Sequence, residues 1–469
     1  MKYLIVSVCF FVAVAELASG TGSGAKELWQ KQMQTLDELI ANNKIEARDS
    51  PNTRKIGLPF FDIAFEDEIP VDKTVHTLRP QDIDIVGAMG DSITAANGAG
   101  ADTVAGLAIE WVGICYSIGG DDSLEQSITL PNILKKFNPR LDGYSVGNGP
   151  LVRKYPYGFN VAIPGARADD MLGQAEVLID LLKTDNRSNY HDDWKMITLF
   201  IGGNDLCAIG RDPEGTTPEV YVAEIKKALD LLHSEVPRMF VNLVDILDIY
   251  LLPYVGYGYG STPQCRALQS SFCGYVVDTM NDTVQKDYLR GINRQYQMQL
   301  QALIDSGIYD TRDDFTVIVQ PFLRDAVLPY TEYGEVDATY FAPDCFHFSD
   351  IGHAMSAINL WNNMLEPVGQ KTTVWSITDL KVPTKEHPYI FTYKNSGPTI
   401  PTTTKAPEVN ATSVPVWVIV LAAILLVVLA GEAFMLVYLL RKKSSKGEKS
   451  QTMSEKGGHV NEGAYVEKM

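Results

Sequence analysis

Five short apolar runs, Ile83–Ala88, Phe159–Ile163, Met196–Ile201, Met239–Val244 and Phe315–Gln320, recur along the middle of the chain. Between and after them lie longer segments with helical spacing of apolar residues, at Ala168–Lys183, Pro218–Ser234, Thr283–Ser306 and Gly352–Met364. Several of the runs are apolar at nearly every position, as strands are when both sheet faces are covered. This alternation predicts an α/β domain with a parallel sheet between helical layers. In such a sheet a binding site forms at the carboxyl ends of the strands.

The two ends of the chain carry a different signal. Met1-Lys2, an apolar run from Tyr3 to Ala15 and the small residues Ala18-Ser19-Gly20 predict a signal peptide cleaved after Gly20. An uncleaved anchor is the alternative, weakened by the polar stretch Thr21–Lys26. Ala25–Asn43 then has helical spacing. Val416–Leu440 is apolar except for Glu432, and about 20 residues suffice to cross a bilayer. Arg441-Lys442-Lys443 follow at once, which predicts a type I span with the bulk of the chain outside or in the lumen. Ser444–Met469 continues beyond it, unlike a glycolipid-anchor signal. Glu432 is either a functional intramembrane carboxyl or a side chain close enough to the interface to snorkel or protonate. Thr399–Pro415 is rich in Pro and Thr and reads as an extended stalk. The expected layout is therefore signal peptide 1–20, extracellular or luminal domain 21–390, stalk 391–415, transmembrane helix 416–440 and cytoplasmic tail 441–469, on a plasma-membrane protein.

The formal charge of −18 comes without a basic stripe, which argues against nucleic acid as a partner. Once Cys9 leaves with the signal peptide, Cys115, Cys207, Cys265, Cys273 and Cys345 remain. Cys265 and Cys273 are close in a loop-like stretch and are expected to pair. Cys207 and Cys345 are candidates for a second bridge, and Cys115 is left over. Sequence alone does not fix the connectivity. No C-x-x-C pair suggests zinc, and no cofactor is expected. Asn186, Asn281 and Asn410 head N-x-S/T triplets on the expected outer side.

Four polar blocks sit where chemistry is expected. Gly90-Asp91-Ser92-Ile93-Thr94 follows the first apolar run, and the second run leads into Gly165. Gly202-Gly203-Asn204-Asp205 follows the third, and Asp344-Cys345-Phe346-His347 precedes the last helix. Acyl transfer needs a nucleophile, a base, a group that orients the base and donors for the oxyanion. Ser92 suits the first role, His347 the second and Asp344 the third. The Ser92 and Gly165 amides and the Asn204 side chain suit the last, since a glycine N–H is approached without a Cβ in the way. Each block alone has a blander reading, as a turn, a helix cap or a structural histidine; their joint order is what points to an esterase.

With these blocks the chain resembles the SGNH, or GDSL, hydrolase superfamily over about Ile83–Leu360. The resemblance implies a flavodoxin-like three-layer α/β/α domain with a parallel sheet. It also implies catalytic Ser92, Asp344 and His347, with an oxyanion hole of Ser92, Gly165 and Asn204. Tyr116-Ser117-Ile118-Gly119-Gly120-Asp121, Thr129-Leu130-Pro131-Asn132-Ile133-Leu134, the stretch Phe200–Cys207 and Asp344–Ser349 are similar to the membrane-associated phospholipase B family. That resemblance implies phospholipase A and lysophospholipase activity through an acyl-enzyme, on phospholipid or lysophospholipid substrates. Some members carry tandem hydrolase repeats and this chain carries one. Cys115 is extra to the family's pattern, in keeping with its being unpaired. The rivals are an esterase for another ester, such as an acetylated glycan, and a catalytically dead surface binding protein.

Two decoys are set aside. Gly143-Tyr144-Ser145-Val146-Gly147 fits the nucleophile elbow G-x-S-x-G, but loop material flanks it where a strand and a helix are required. His353 also follows an aspartate, Asp350, by three. The resemblance gives the base role to His347 and leaves His353 for packing or support.

Overall fold

The computed structural model describes residues 73–151 and 156–397. The expected signal peptide, the helical stretch 25–43, most of the stalk, the span with Glu432, the tail and Asn410 lie outside these residues. Among the described residues no helix is long and apolar enough to cross a membrane.

Four of the five apolar runs form one parallel sheet: β1 (Ile85–Gly90), β2 (Lys195–Phe200), β3 (Met239–Val244) and β4 (Phe315–Gln320), in that order across the sheet. Every residue of all four strands is buried, which is why the runs are apolar without alternation. The register pairs Gly90 with Phe200, Phe200 with Val244 and Val244 with Gln320. The four carboxyl ends therefore finish flush, as a straight rim.

The fifth run, Phe159–Ile163, is not a regular strand. It touches the free edge of β1 through an isolated parallel bridge at Asn160, and Asp142 makes a second bridge further down. The Asp142 and Phe159 carbonyls accept the Val86 and Ala88 amides. The intervening chain turns sharply at Gly143 (φ +90°) and Gly158 (φ +63°), where an added Cβ would strike the Val86 and Tyr144 carbonyl oxygens. The Val161 and Ile163 amides still donate to the Ala88 and Gly90 carbonyls, but the Gly90 amide turns to the Gln174 side chain, which interrupts the ladder. The edge is thus covered in two pieces, in the place of the second strand of a flavodoxin-like 2-1-3-4-5 sheet.

The helices α1 (Met171–Thr184), α3 (Pro218–Glu235) and α5 (Thr283–Asp305) pack side by side. α3 buries Tyr221, Ile225, Ala228, Leu229 and Leu232, a helical stripe, and begins with Pro218 behind a Thr217 side chain that accepts the Val220 amide. α6 (Asp350–Met364) packs on β4 and is buried at nearly every position. The chain then wraps back past Ile390, whose amide bonds the Leu78 carbonyl, and Thr392, whose hydroxyl meets His76 Nδ1 at 2.9 Å. These bonds run as far as Ser396, into the segment read as stalk.

The cysteine pairing corrects the expectation. The disulfides are Cys207–Cys273 and Cys265–Cys345; Cys115 is in neither bridge and is buried, its thiol donating to the Thr94 carbonyl at 3.1 Å. Cys265 and Cys273 lie in α4 (Pro263–Asp278), a helix kinked at Cys273, where a loop was expected. Eight residues of helix span about 12 Å, beyond disulfide reach. Its polar residues, Gln264, Ser270 and Ser271 among them, and Gly274 hide the helical pattern. One bridge ties α4 to the short helix α2 (Gly203–Ala208), and the other ties it to the loop that carries His347.

Loops of 66 and 80 residues are closed by these bridges, and each is expected to contribute on the order of 4 kcal/mol. Replacing Cys265 and Cys345 together by Ser should lower the thermal midpoint. Non-reducing peptide mapping of the wild type should recover 207–273 and 265–345, and recovery of a 265–273 peptide would contradict the pairing.

Candidate active site

Ser92 stands at the rim because β1 ends on Gly90. That residue has φ +153°, and a Cβ there would lie 2.4 Å from the Phe200 carbonyl oxygen. The Gln174 side chain on α1 takes both ends of the Gly90 peptide, accepting its N–H and donating to its C=O, each at 2.8 Å. Asp91 then accepts the Ile93 amide at 2.9 Å, and the Asn97 amide closes on the Ser92 carbonyl. The nucleophile candidate sits on a short, doubly tied turn.

His347 reaches it from 255 residues away in sequence. Its Nε2 is 2.8 Å from Ser92 Oγ, and its Nδ1 is 2.6 Å from Asp344 Oδ2. The Asp344 Oδ1 accepts the Phe346 and His347 amides at 3.0 Å each, so one carboxylate shapes the turn and orients the ring. Cys345 occupies φ +54° in this turn, held by its bridge to Cys265 and by Gln269, which donates to its carbonyl at 2.9 Å. All three side chains are buried. Burial pushes the Asp344 carboxyl up, but the facing His347 charge, the bond from its ring and the two amides bring it below the ordinary carboxylate range. Asp344 is therefore ionised at neutral pH, and a hydroxyl, an imidazole and a carboxylate lie in hydrogen-bonding sequence. That order suits proton removal from Ser92 with the resulting imidazolium stabilised.

Asn204 shares a cleft wall with Ser92. Its Nδ2 donates to the Ala166 carbonyl at 2.9 Å, which leaves a second N–H for a ligand. Gly165 is exposed, has φ +82° and has open space where a Cβ would stand. Among the described residues neither the Ser92 nor the Gly165 amide finds an acceptor in the chain. Apart from Asp91, the rest of the cleft is apolar, with Ile93, Phe200, Ile246, Ile249, Phe346 and Phe348 in its walls.

The decoys fall elsewhere. Ser145 is buried, donating to the Tyr157 carbonyl at 2.6 Å. His353 is buried against Tyr116, accepts that residue's amide on Nδ1 at 3.2 Å and is pushed down to about 3 by burial, so it stays neutral. Asn186 and Asn281 are exposed. Among the described residues no group of three His, Cys, Asp or Glu side chains could hold a metal.

Sequence reasoning missed three supports: Gln174, Gln269 and Asp205. Asp205 accepts the Ala168 amide on both oxygens at 3.2 Å, fastening the Gly165 loop to the Asn204 helix. Gln174 and Gln269 sit on helices whose other polar residues face solvent, so nothing local marks them. Asp205 follows Asn204 directly, and its adjacency was the available signal.

Residues 86–360 match the family described as GDSL-like Lipase/Acylhydrolase. The chain is 45% identical over 69% of its length to mouse (Mus musculus) "Phospholipase B1, membrane-associated", and 43% identical over 73% to the human (Homo sapiens) protein of that name. It spans about a quarter of those relatives, 22% and 24%. A putative GDSL-like lipase from Parabacteroides merdae ATCC 43184 aligns with 62% of this chain and 98% of its own at 12% identity. Its TM-score of 0.28 adds nothing to the topology described above.

Burial holds the Asp205 carboxyl up at about 7, only partly offset by the Ala168 amide and Arg167. A carboxyl raised in the folded state binds its proton more tightly there than in the unfolded chain, so it loses stability as pH rises from about 4 to 7. Asp205→Asn cannot ionise. Its stability relative to wild type should therefore improve steadily across that window, as read by thermal melts at successive pH values; a constant offset would contradict the assignment.

Proposed function

The chain belongs to the GDSL-like lipase/acylhydrolase family, and from that premise we propose that it is a serine esterase cleaving fatty-acyl esters of phospholipids and lysophospholipids. The observation that carries this reading is the unbroken hydrogen-bond line from Asp344 through His347 to Ser92 at the edge of an apolar cleft.

In this mechanism Ser92 Oγ attacks the ester carbonyl while His347 Nε2 takes its proton. Asp344, already ionised, stabilises the imidazolium through Nδ1. The Ser92 and Gly165 amides and the second Asn204 N–H are the proposed oxyanion donors. His347 returns the proton to the leaving alcohol, and water cleaves the acyl-enzyme by the same steps in reverse. The apolar cleft favours a fatty-acyl chain over an acetyl group, since each buried methylene is worth about 0.8 kcal/mol. The intact triad speaks against an inert binding protein.

The membrane-associated name of the relatives supports a lipid setting for this chain as well. Val416–Leu440 with its trailing Arg441-Lys442-Lys443 supports a single type I span in the plasma membrane, with the hydrolase domain outside. Asn186, Asn281 and Asn410 are then the proposed glycosylation sites.

Ser92→Ala should reduce fatty-acid release from phosphatidylcholine and lysophosphatidylcholine by about 10,000-fold or more and abolish labelling by a fluorophosphonate. Product analysis on phospholipid, lysophospholipid, neutral-lipid and acetyl esters separates the rivals. A preference for acetyl esters would reject the lipid reading, and undiminished release by Ser92→Ala would reject the nucleophile.

A further inference from the structure

Among the described residues three polar side chains border the cleft, those of Asp91, Ser92 and Asn204, and the mechanism above uses the last two. Asp91 is left over. Its side chain is as buried as the core, at 3% exposure, yet it reaches the cleft surface. Oδ1 accepts the Ile93 amide at 2.9 Å. Against burial stand this bond, the facing His347 charge and the residue's own amide, and the carboxyl is pushed up to about 6. At about pH 8 it is therefore mostly an anion, with Oδ2 short of donors.

Gly203 shows where that oxygen stands. It borders the same cleft, and a Cβ built on it would lie 3.9 Å from Asp91 Oδ2, at ordinary contact distance. Gly203 opens α2 and has no positive φ, so its backbone does not demand glycine. Its missing side chain leaves room beside Oδ2. A buried acceptor short of donors favours a ligand that brings one, and it rejects the same ligand without it. Asp91 adjoins Ser92 in the chain, so the donor must lie within a few bonds of the scissile ester. Phosphodiester oxygens, ester carbonyls and the methyl groups of choline have no hydrogen to donate. The glycerol hydroxyl freed by loss of one acyl chain has one. It stands on the carbon next to the one that bears the remaining ester.

We propose that Asp91 is a specificity-determining residue that receives this hydroxyl, so that the cleft favours a lysophospholipid over its diacyl precursor. Oδ1 stays on the Ile93 amide, and Oδ2 accepts the substrate O–H. A second acyl ester in the hydroxyl's place offers acceptors alone and leaves the carboxylate unsatisfied. The inference rests on the lipid-ester reading of the site and sharpens it.

The test compares the full-length wild type with Asp91→Asn at about pH 8 on two substrates, lysophosphatidylcholine and its analogue with hydrogen in place of the glycerol hydroxyl. In the variant the amide oxygen can keep the Ile93 bond, which puts a donating NH2 where Oδ2 stood. The readout is the ratio of kcat/KM for the two substrates, because a general loss of activity cancels in it. The wild type should prefer the hydroxyl-bearing substrate roughly 10- to 100-fold, the worth of a hydrogen bond to a charged acceptor. Asp91→Asn should bring the ratio to about 1. Gly203→Ala, whose methyl crowds the same space without strain, should also narrow it, and it replaces Asp91→Asn if that variant fails to fold. A wild type that cleaves both substrates alike, or a folded variant that keeps the full preference, would overturn the role of Asp91 and leave the lipid reading standing. A wild type active on a water-soluble acetyl ester but on no phospholipid or lysophospholipid would reject the substrate reading and this inference with it.

Discussion

The register of the parallel sheet is the constraint on which the site depends. Gly90, Phe200 and Val244 finish level, so the loops that follow them open at the same height. The first supplies Ser92, the second Asn204 and the third a wall of the cleft. A slip of one residue in β1 would turn its buried side chains to the opposite face and lift Ser92 off the rim by about 3.3 Å. Gln174 bonds both ends of the Gly90 peptide, so α1 resists that slip at the point where it would do most harm.

Buried carboxyls around the rim separate according to how many donors each receives. Asp344 has two amides and an imidazole and remains an anion. Asp91, next to Ser92, bonds the Ile93 amide and is pushed up to about 6 by burial. Asp205 is held near 7. Burial acts on all three in the same direction, and the facing charges and hydrogen bonds decide how far it is offset, so that Asp344 alone of the three ends below the ordinary carboxylate range. Asp344, fully buried and held by these bonds, is the carboxylate in contact with the His347 ring.

Much of this was legible in the chain. The four regular strands announced themselves because both their faces are buried, and the blocks around Ser92, Asn204 and His347 because each stands at the end of a buried element. Phe159–Ile163 misled because its composition is that of a strand and its amides do reach β1, while Gln174 takes the Gly90 amide that a regular ladder would need. The polar sequence of α4 concealed both the helix and the bridging pattern, since its buried face is narrow: Cys265, Leu268, Gln269, Cys273 and Val276. Gln174 and Gln269 could not be singled out, because their importance lies in carbonyls and amides brought from distant parts of the chain.

The cross-linking of α4 has a consequence for biosynthesis. Both bridges pass through this one helix, and its partner Cys345 is translated last, roughly 70 residues after Cys273. At about 5–20 residues per second, Cys207, Cys265 and Cys273 are made several seconds before Cys345. During that interval Cys207 can be captured by the wrong neighbour, and the native set must then be reached by thiolate attack on a premature bridge. The native pairing of this chain therefore completes only by thiol–disulfide exchange once Cys345 has been made.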